Sequence, residues 1–293
     1  MKSMTLKSYA KINLGLVLLK KRNDGYHDIA TVFQQIDLYD ALTFQPRESG
    51  ISLQCSGFPV PCDEKNLAYR AFKLFSERGP FSGGIGIGIE KRIPAGAGLG
   101  GGSSNAAVTL IAANQICGRP FKEKDLERLA AEIGSDVPFF ICGGTALGLG
   151  RGEILEPLQI PGDFYIVLLL PDLAVSTAWA YGESRIALTK VEKLAKFRAI
   201  FEKFSPQALK NHLVNELEDV VFKRHPELYE LKQELYKRDA FYASMSGSGS
   251  TVYGLFGEKR VAESAVSHFS RQTGLAVHLC RPISGQSFRS VAS

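Results

Sequence analysis

Residues 8–19 alternate strictly, with Ala10, Ile12, Leu14, Leu16 and Leu18 on one side and Tyr9, Lys11, Asn13 and Gly15 on the other. A period of two predicts a strand with one buried face. Asp24-Gly25 supplies turn chemistry after it, and residues 29–44 hold further strand-like stretches, Thr31-Val32-Phe33 and Leu42-Thr43-Phe44. A second alternation, Ile85-Gly86-Ile87-Gly88-Ile89, predicts another strand that leads into Pro94 and a glycine-dense run. Helical spacing predicts helices over residues 67–77, with Asn66 as N-cap, over 104–115, and over 123–133, closed by Gly134.

Residues 143–152 are again dense in glycine and predict a strand or a turn. Pro157, Pro161 and Gly162 mark a junction between two units, 1–157 and 158–293. Beyond it the pattern predicts a buried strand (165–170) and helices over 176–184, 191–203 and 226–237. A strand–loop–strand follows (241–245, 246–250, 251–256), then a last helix (260–269) and strand (275–279). No internal repeat interrupts this order, and the expected fold class is α+β in two lobes.

Composition narrows the function classes. The 293 residues are 45% hydrophobic and 22% charged, ordinary for a soluble globular protein. The net charge of +5 is spread along the chain, and its longest basic run, Lys20-Lys21-Arg22, reads as a solvated turn. Such a balance attracts a polyanionic small molecule as readily as nucleic acid and does not argue for a nucleic-acid partner. The five cysteines (55, 62, 117, 142 and 280) are scattered without a C-x-x-C pair, and the five histidines form no H-E-x-x-H. That usage speaks against structural zinc and fits a reducing compartment. The N-terminus lacks the apolar core of a signal peptide, and the longest apolar run, 164–171, is too short to span a bilayer. A cytoplasmic protein with no membrane partner is expected.

The candidate chemistry starts at Pro94-Ala95-Gly96-Ala97-Gly98-Leu99-Gly100-Gly101-Gly102-Ser103-Ser104. Gly96 and Gly101 have P-loop spacing, but Gly102 stands where the lysine of G-x-x-x-x-G-K-[ST] is needed. Gly96, Gly98 and Gly101 satisfy the dinucleotide pattern G-x-G-x-x-G. Pro94 breaks the strand-to-turn passage, however, and residues 111–121 offer no acidic partner for a ribose. Read at full length, the run has no charged side chain, so its backbone N–H groups can form an anion-binding nest, with Ser103, Ser104 and a helix N-terminus completing the cradle.

This run, followed by Asn105-Ala106-Ala107, resembles the nucleotide loop of the GHMP kinases. Three further blocks occur in the order found in that family. They are Ala10-Lys11-Ile12-Asn13-Leu14 with Asp24-Gly25-Tyr26-His27, Gly134-Ser135-Asp136-Val137-Pro138-Phe139-Phe140, and Met245-Ser246-Gly247-Ser248-Gly249-Ser250. Together they look like the branch that phosphorylates the 2-hydroxyl of a diphosphocytidyl methylerythritol. The resemblance implies a two-lobed fold, with a ribosomal protein S5 domain 2-like nucleotide lobe, a ferredoxin-like substrate lobe, and the site in the cleft between them. It implies ATP as co-substrate with Mg²⁺ on its phosphates, a small-molecule cytidyl-diphosphate substrate, and action as a monomer or homodimer.

Residue by residue, the resemblance makes Lys11 and Asp136 catalytic. Taken alone, Lys11 could be an exposed strand lysine, and Asp136 could cap the helix after Val137-Pro138. Asn13 would bond the polyol portion, Tyr26 would stack on the pyrimidine, and His27 would bond its edge. Tyr181 would form the second wall, with Thr177 one helical turn earlier and Trp179 as the competing choice. Gly247, Ser248 and Gly249 would line the substrate side, across the cleft from the nucleotide loop. Asn66-Leu67 would border the adenine, or Asn66 would serve only as a cap. Ser104 is the hydroxyl expected to approach Mg²⁺, and no carboxylate ligand is singled out. Other members of the fold (homoserine or mevalonate kinases, a diphosphomevalonate decarboxylase) and a non-catalytic ligand sensor are the alternatives. Tyr26-His27 speaks against the former, because their substrates carry no base, and Lys11 with Asp136 against the latter.

Overall fold

The computed structural model describes residues 3–79, 83–160, 163–184, 190–202 and 204–284. Its first sheet is organised by two long antiparallel strands, β1 (Met4–Lys21) and β2 (His27–Arg47). The sheet also contains β3 (Ile51–Gly57), β4 (Gly84–Lys91), β5 (Thr145–Gly150) and β6 (Ile154–Pro157), in the order β3-β4-β2-β5-β6 with β1 paired to β2. β3 and β4 run parallel, linked through α1 (Leu67–Arg78). With α2 (Gly101–Ile116), α3 (Glu123–Ile133) and the short α4 (Phe139–Cys142), α1 contributes to a core built on Phe72, Phe75, Ile87, Leu110 and Leu129. Ala106, Ala107, Ala112 and Ala113 let α2 sit deep in that core, buried on most of its circumference.

The second lobe runs β7 (Tyr165–Pro171), α5 (Thr177–Glu183), α6 (Lys190–Glu202), α7 (Pro206–His212), α8 (Glu218–Arg224), α9 (Pro226–Lys237), β8 (Tyr242–Met245), β9 (Val252–Phe256), α10 (Lys259–Phe269) and β10 (Leu275–Cys280). Its antiparallel sheet has the order β10-β7-β9-β8, the split βαβ arrangement of ferredoxin-like domains, as expected. The lobes share apolar surface: Ile12, Leu14 and Val17 of β1 cluster with Ile166, Leu168 and Tyr253 of the second sheet. β1 is therefore the strand that both lobes use.

Several expectations are corrected. β1 is longer than its alternating segment and carries register shifts at Tyr9/Lys11, Leu14/Leu16 and Leu18/Lys20. Gly15 adopts φ +72° at the second of these. One extra residue flips every later side chain, so the alternation inverts there. Ala10, Ile12, Leu14, Val17 and Leu19 share the inter-lobe core, whereas Leu16 and Leu18 join the second-lobe core with Val167 and Leu217. The opposite face is not open to water either, since Lys11 and Asn13 are only 4% and 3% exposed. Residues 29–44 belong to one strand, and α2 starts at Gly101 rather than at residue 104. Residues 143–152 contain β5 and the turn that follows it. β3, β6, α7 and α8, of four to seven residues each, were not anticipated because segments so short show no period, while α4 is the helix expected after Val137-Pro138. Pro161 and Gly162 of the expected junction, and Lys203 at the end of the expected 191–203 helix, lie outside the described residues.

Candidate active site

The glycine run is a loop of alternating hand. Gly96, Gly98 and Gly100 have φ of +72°, +76° and +67°, a region comfortable only for glycine, while Ala97 and Leu99 between them are buried and pin the loop. Such alternation turns successive N–H groups to one side, as an anion nest requires. α2 follows directly, with Gly100 as a left-handed N-cap and no acidic residue in the first turn. Its leading N–H groups have no intrahelical partner, and the positive end of a 16-residue helix meets the loop.

A buried polar network underlies this loop. Lys91 Nζ lies 2.6 Å from Asp40 Oδ2 and donates to the Ile93 carbonyl at 2.5 Å. Asp40 Oδ1 accepts from the backbone N–H groups of Arg92 and Ile93 at 2.7 and 2.8 Å. Asn105 Nδ2 donates to Asp40 Oδ2 and to Ser8 Oγ, each at 2.9 Å, and Ser8 donates to Ser104 Oγ at 2.7 Å. Burial pulls the Lys91 ammonium pKa down, with Asp40 opposing that shift. The network ties the start of α2 to β1, β2 and β4. A Cβ on Gly101 would come 2.8 Å from Lys91 Nζ, which fixes glycine there. Sequence reasoning missed Asp40, Lys91 and Ser8, since none carries a local signal.

Two loop assignments change. The Ser104 hydroxyl is buried and accepts from Ser8, so it faces this network and not an incoming metal; Ser103 is the half-exposed hydroxyl. Asn66 is the cap of α1: its Oδ1 accepts from Ala68 N at 2.9 Å, and its Nδ2 donates to the Pro61 carbonyl at 2.7 Å. Leu67, not Asn66, is the neighbour of the loop, 3.6 Å from where a Cβ on Gly102 would lie.

Lys11 and Asp136, 125 positions apart in sequence, meet at one point. Lys11 Nζ lies 3.5 Å from Asp136 Oδ2, and it donates to Asn13 Oδ1 at 2.7 Å and to the Gly98 carbonyl at 3.0 Å. The Lys11 backbone N–H donates to the Leu99 carbonyl at 3.0 Å, so the glycine loop is laced to β1 at two adjacent carbonyls. Asp136 does not cap a helix: the residue before α4 is Pro138, and no side chain caps that helix. Asn13 is held on both sides, since its Nδ2 donates to Thr31 Oγ1 at 2.9 Å. This amide sets the position of the ammonium.

The base-recognition candidates fall into two groups. His27 is buried, its ring centroid 5.5 Å from that of Tyr181 and tilted by 36°. Burial, and secondarily the charge of Lys21, lowers the His27 pKa, so the ring is neutral at pH 7 and offers one donor and one acceptor. Burial and the charge of Asp136 push the Tyr181 phenol pKa up. Tyr26 is 58% exposed and carries the Arg151 guanidinium over its ring at 5.3 Å. Trp179 faces elsewhere, edge-on to His225 with Arg224 over its ring.

The second glycine loop, residues 246–250, was expected across the cleft from the first. Instead the two touch. Ser246 Oγ donates to the Gly98 carbonyl at 2.9 Å, Thr251 N donates to the Ala97 carbonyl at 3.3 Å, and a Cβ on Gly98 would run into the Ser246 carbonyl. Gly247, at φ +58°, approaches Asn13 Oδ1, and Ser248 Oγ lies 2.8 Å from Thr177 Oγ1. Gly249 has φ +88°. From the other side, Asn215 Nδ2 donates to the Met245 and Gly247 carbonyls at 2.8 Å each, and Glu218 Oε1 accepts from Met245 N and Ser244 Oγ at 2.8 Å. These clamps come from unanticipated segments.

Residues 66–144 match the family described as GHMP kinases N terminal domain, and residues 197–274 match GHMP kinases C terminal. A relative from Prosthecochloris aestuarii, named 4-diphosphocytidyl-2-C-methyl-D-erythritol kinase, is 42% identical over 281 residues, covering 92% of this chain and 95% of its own. A solved structure of 4-(cytidine 5'-diphospho)-2C-methyl-D-erythritol kinase superposes with a TM-score of 0.78 at 34% identity, covering 95% of this chain and 99% of that one. Homoserine kinase from Cytophaga hutchinsonii superposes with a TM-score of 0.74 at 19% identity, over 97% of each chain, a likeness of fold.

Proposed function

This chain belongs to the GHMP kinases, and from that premise we propose that it transfers the γ-phosphate of ATP to the 2-hydroxyl of 4-diphosphocytidyl-2-C-methyl-D-erythritol. The products are the 2-phosphate and ADP, a step towards isoprenoid precursors that does not pass through mevalonate. The observation that carries this reading is the Lys11 ammonium, which joins the glycine loop at Gly98 to the Asp136 carboxylate. A single cation there reaches both the nucleotide side and the acceptor side.

The proposed mechanism follows from that geometry. Backbone N–H groups of residues 96–102 hold the phosphates, and the α2 N-terminus opposes their charge. Asp136, 3.5 Å from the Lys11 ammonium, accepts the proton of the attacking hydroxyl, while Lys11 stabilises charge on the transferring phosphoryl group. Asn13 orients Lys11 and has a further amide hydrogen for the polyol. Neutral His27 matches the mixed donor and acceptor edge of cytosine, and Tyr181 supplies an aromatic face beside it.

Mg²⁺ binds through few protein groups and keeps phosphate and water ligands. The loop fits that style, with the Ser103 hydroxyl half-exposed beside the leading amides. Among the described residues, the one cluster of three acidic or thiol groups able to share a metal is Glu123, Glu127 and Cys142, which lines a separate cavity. Ser103 would help hold the metal, which would supply charge neutralisation to the phosphates.

We place the lobe boundary after residue 157, where β6 ends, eight residues before β7 begins at Tyr165. The proposed site comes from one chain, so a monomer or a homodimer serves equally. No described helix is long and apolar enough to cross a membrane. The scattered cysteines, with no C-x-x-C pair, support a cytoplasmic setting.

Purified protein with Mg·ATP and the cytidyl substrate is expected to release ADP in step with substrate loss. Turnover of homoserine or mevalonate in its place would overturn the substrate assignment. Tyr181→Ala is expected to raise the KM for the cytidyl substrate about 10- to 100-fold, the worth of one base–aromatic stack, and to leave the KM for ATP unchanged. An unaltered KM for the cytidyl substrate would remove Tyr181 from the base site.

A further inference from the structure

Arg151 has no role in the chemistry above, yet its turn stands between the two halves of the proposed substrate site. The turn leaves β5 through Gly150 (φ +69°) and Gly152 (φ +117°), and Gly150 is the β5 residue paired with Ile29, two residues after His27. On one side the Arg151 guanidinium covers the Tyr26 ring at 5.3 Å. On the other, a Cβ on Gly152 would lie 3.6 Å from Asp136 Oδ1. Glu153 fixes the arginine by accepting from its backbone N–H at 2.6 Å and from Nε at 3.4 Å. Among the described residues, Nη1 and Nη2 donate no hydrogen bond.

We propose that Arg151 is a specificity-determining residue that binds the diphosphate of the nucleoside-diphosphate substrate; this rests on the cytidyl-substrate reading above. In such a substrate the diphosphate lies between the base and the acceptor hydroxyl, so it must pass the span from Tyr26 and His27 to Asp136, where Arg151 sits. Asp136 stands at the end of that span, and a diphosphate entering it unaccompanied would meet like charge. Lys11 is committed to Asp136, Asn13 and Gly98, and Lys20 and Lys21 stand exposed at the far end of β1. A guanidinium held by Nε, with both terminal nitrogens unused, matches the two-point geometry of a phosphate.

The test compares cytidine with cytidine diphosphate by calorimetry on the full chain, for the wild type, Arg151→Gln and Arg151→Lys. The wild type is expected to bind the diphosphate at least about tenfold more tightly than the nucleoside, as charge-assisted hydrogen bonds would give. Arg151→Gln should reduce that ratio to within about twofold while cytidine affinity changes little, and Arg151→Lys should keep part of it. If arginine only propped Tyr26, both ligands would weaken equally, and that result would overturn the proposal. A ratio unchanged in Arg151→Gln would overturn it too, while leaving the cytidyl reading intact. Failure of the wild type to bind either ligand would sink the cytidyl reading and this proposal together.

Discussion

Lys11→Ala is expected to lower kcat by about 10²- to 10³-fold, the usual cost of removing one preorganised charge from a transferring group, with ATP affinity within a few-fold of wild type. The expectation rests on position. The ammonium is almost fully buried, held by the Asn13 amide and the Gly98 carbonyl, and 3.5 Å from Asp136. Deleting it removes the cation beside the Asp136 carboxylate, the same one that meets the transferring phosphoryl group, so both halves of the proposed chemistry fail together. Asp136→Asn preserves shape and removes the base, and should cost about 10²- to 10⁴-fold in kcat. Because the two act as a unit, the double variant should be little worse than the poorer single one. Steady-state kcat, read beside a direct ATP-binding titration, checks both. A kcat within tenfold of wild type in either single variant would place the catalytic pair elsewhere.

The largest stability effect is expected from Asp40→Ala. Asp40 has no solvent exposure and satisfies Lys91, Asn105 and two backbone N–H groups. Removing one partner of a buried pair strands the other charge, at a cost of about 3–5 kcal/mol. Urea unfolding is the measurement, and a loss below about 1 kcal/mol would show that the network does not brace the fold. Replacing Lys91 with methionine in the Asp40→Ala background should restore much of the loss, because no buried charge then remains. ATP affinity should fall in Asp40→Ala beyond what instability explains, since Asn105 and Ser104 connect the same carboxylate to the start of α2.

Local chemistry made much of the site legible. Glycines at 96, 98 and 100 have the left-handed backbone that only their missing Cβ makes easy, so the nest could be read from residue type alone. Residues 123–133 and 226–237 became helices at the expected bounds because their apolar spacing is strong and their starts are well marked. Ser104 was misplaced because adjacent residues at a helix start point in different directions, and sequence cannot say which faces inward. β1 misled in the same way: one bulge at Gly15 inverted the faces of a strand whose alternation looked unbroken.

The sequence by itself determined the longer strands and helices in their order, the anion-binding loop and the residue types of the catalytic pair. These follow from short-range rules of backbone sterics, periodicity and side-chain chemistry. Only the tertiary structure decided that Lys11 meets Asp136, that Tyr181 rather than Trp179 turns to His27, and that the two glycine loops interlock at Gly98. It also decided that Asp40 and Lys91 share a buried pocket beneath the loop. Those pairings join residues tens to hundreds of positions apart, and they form because bulges and close-packed cores fix directions that no local window contains.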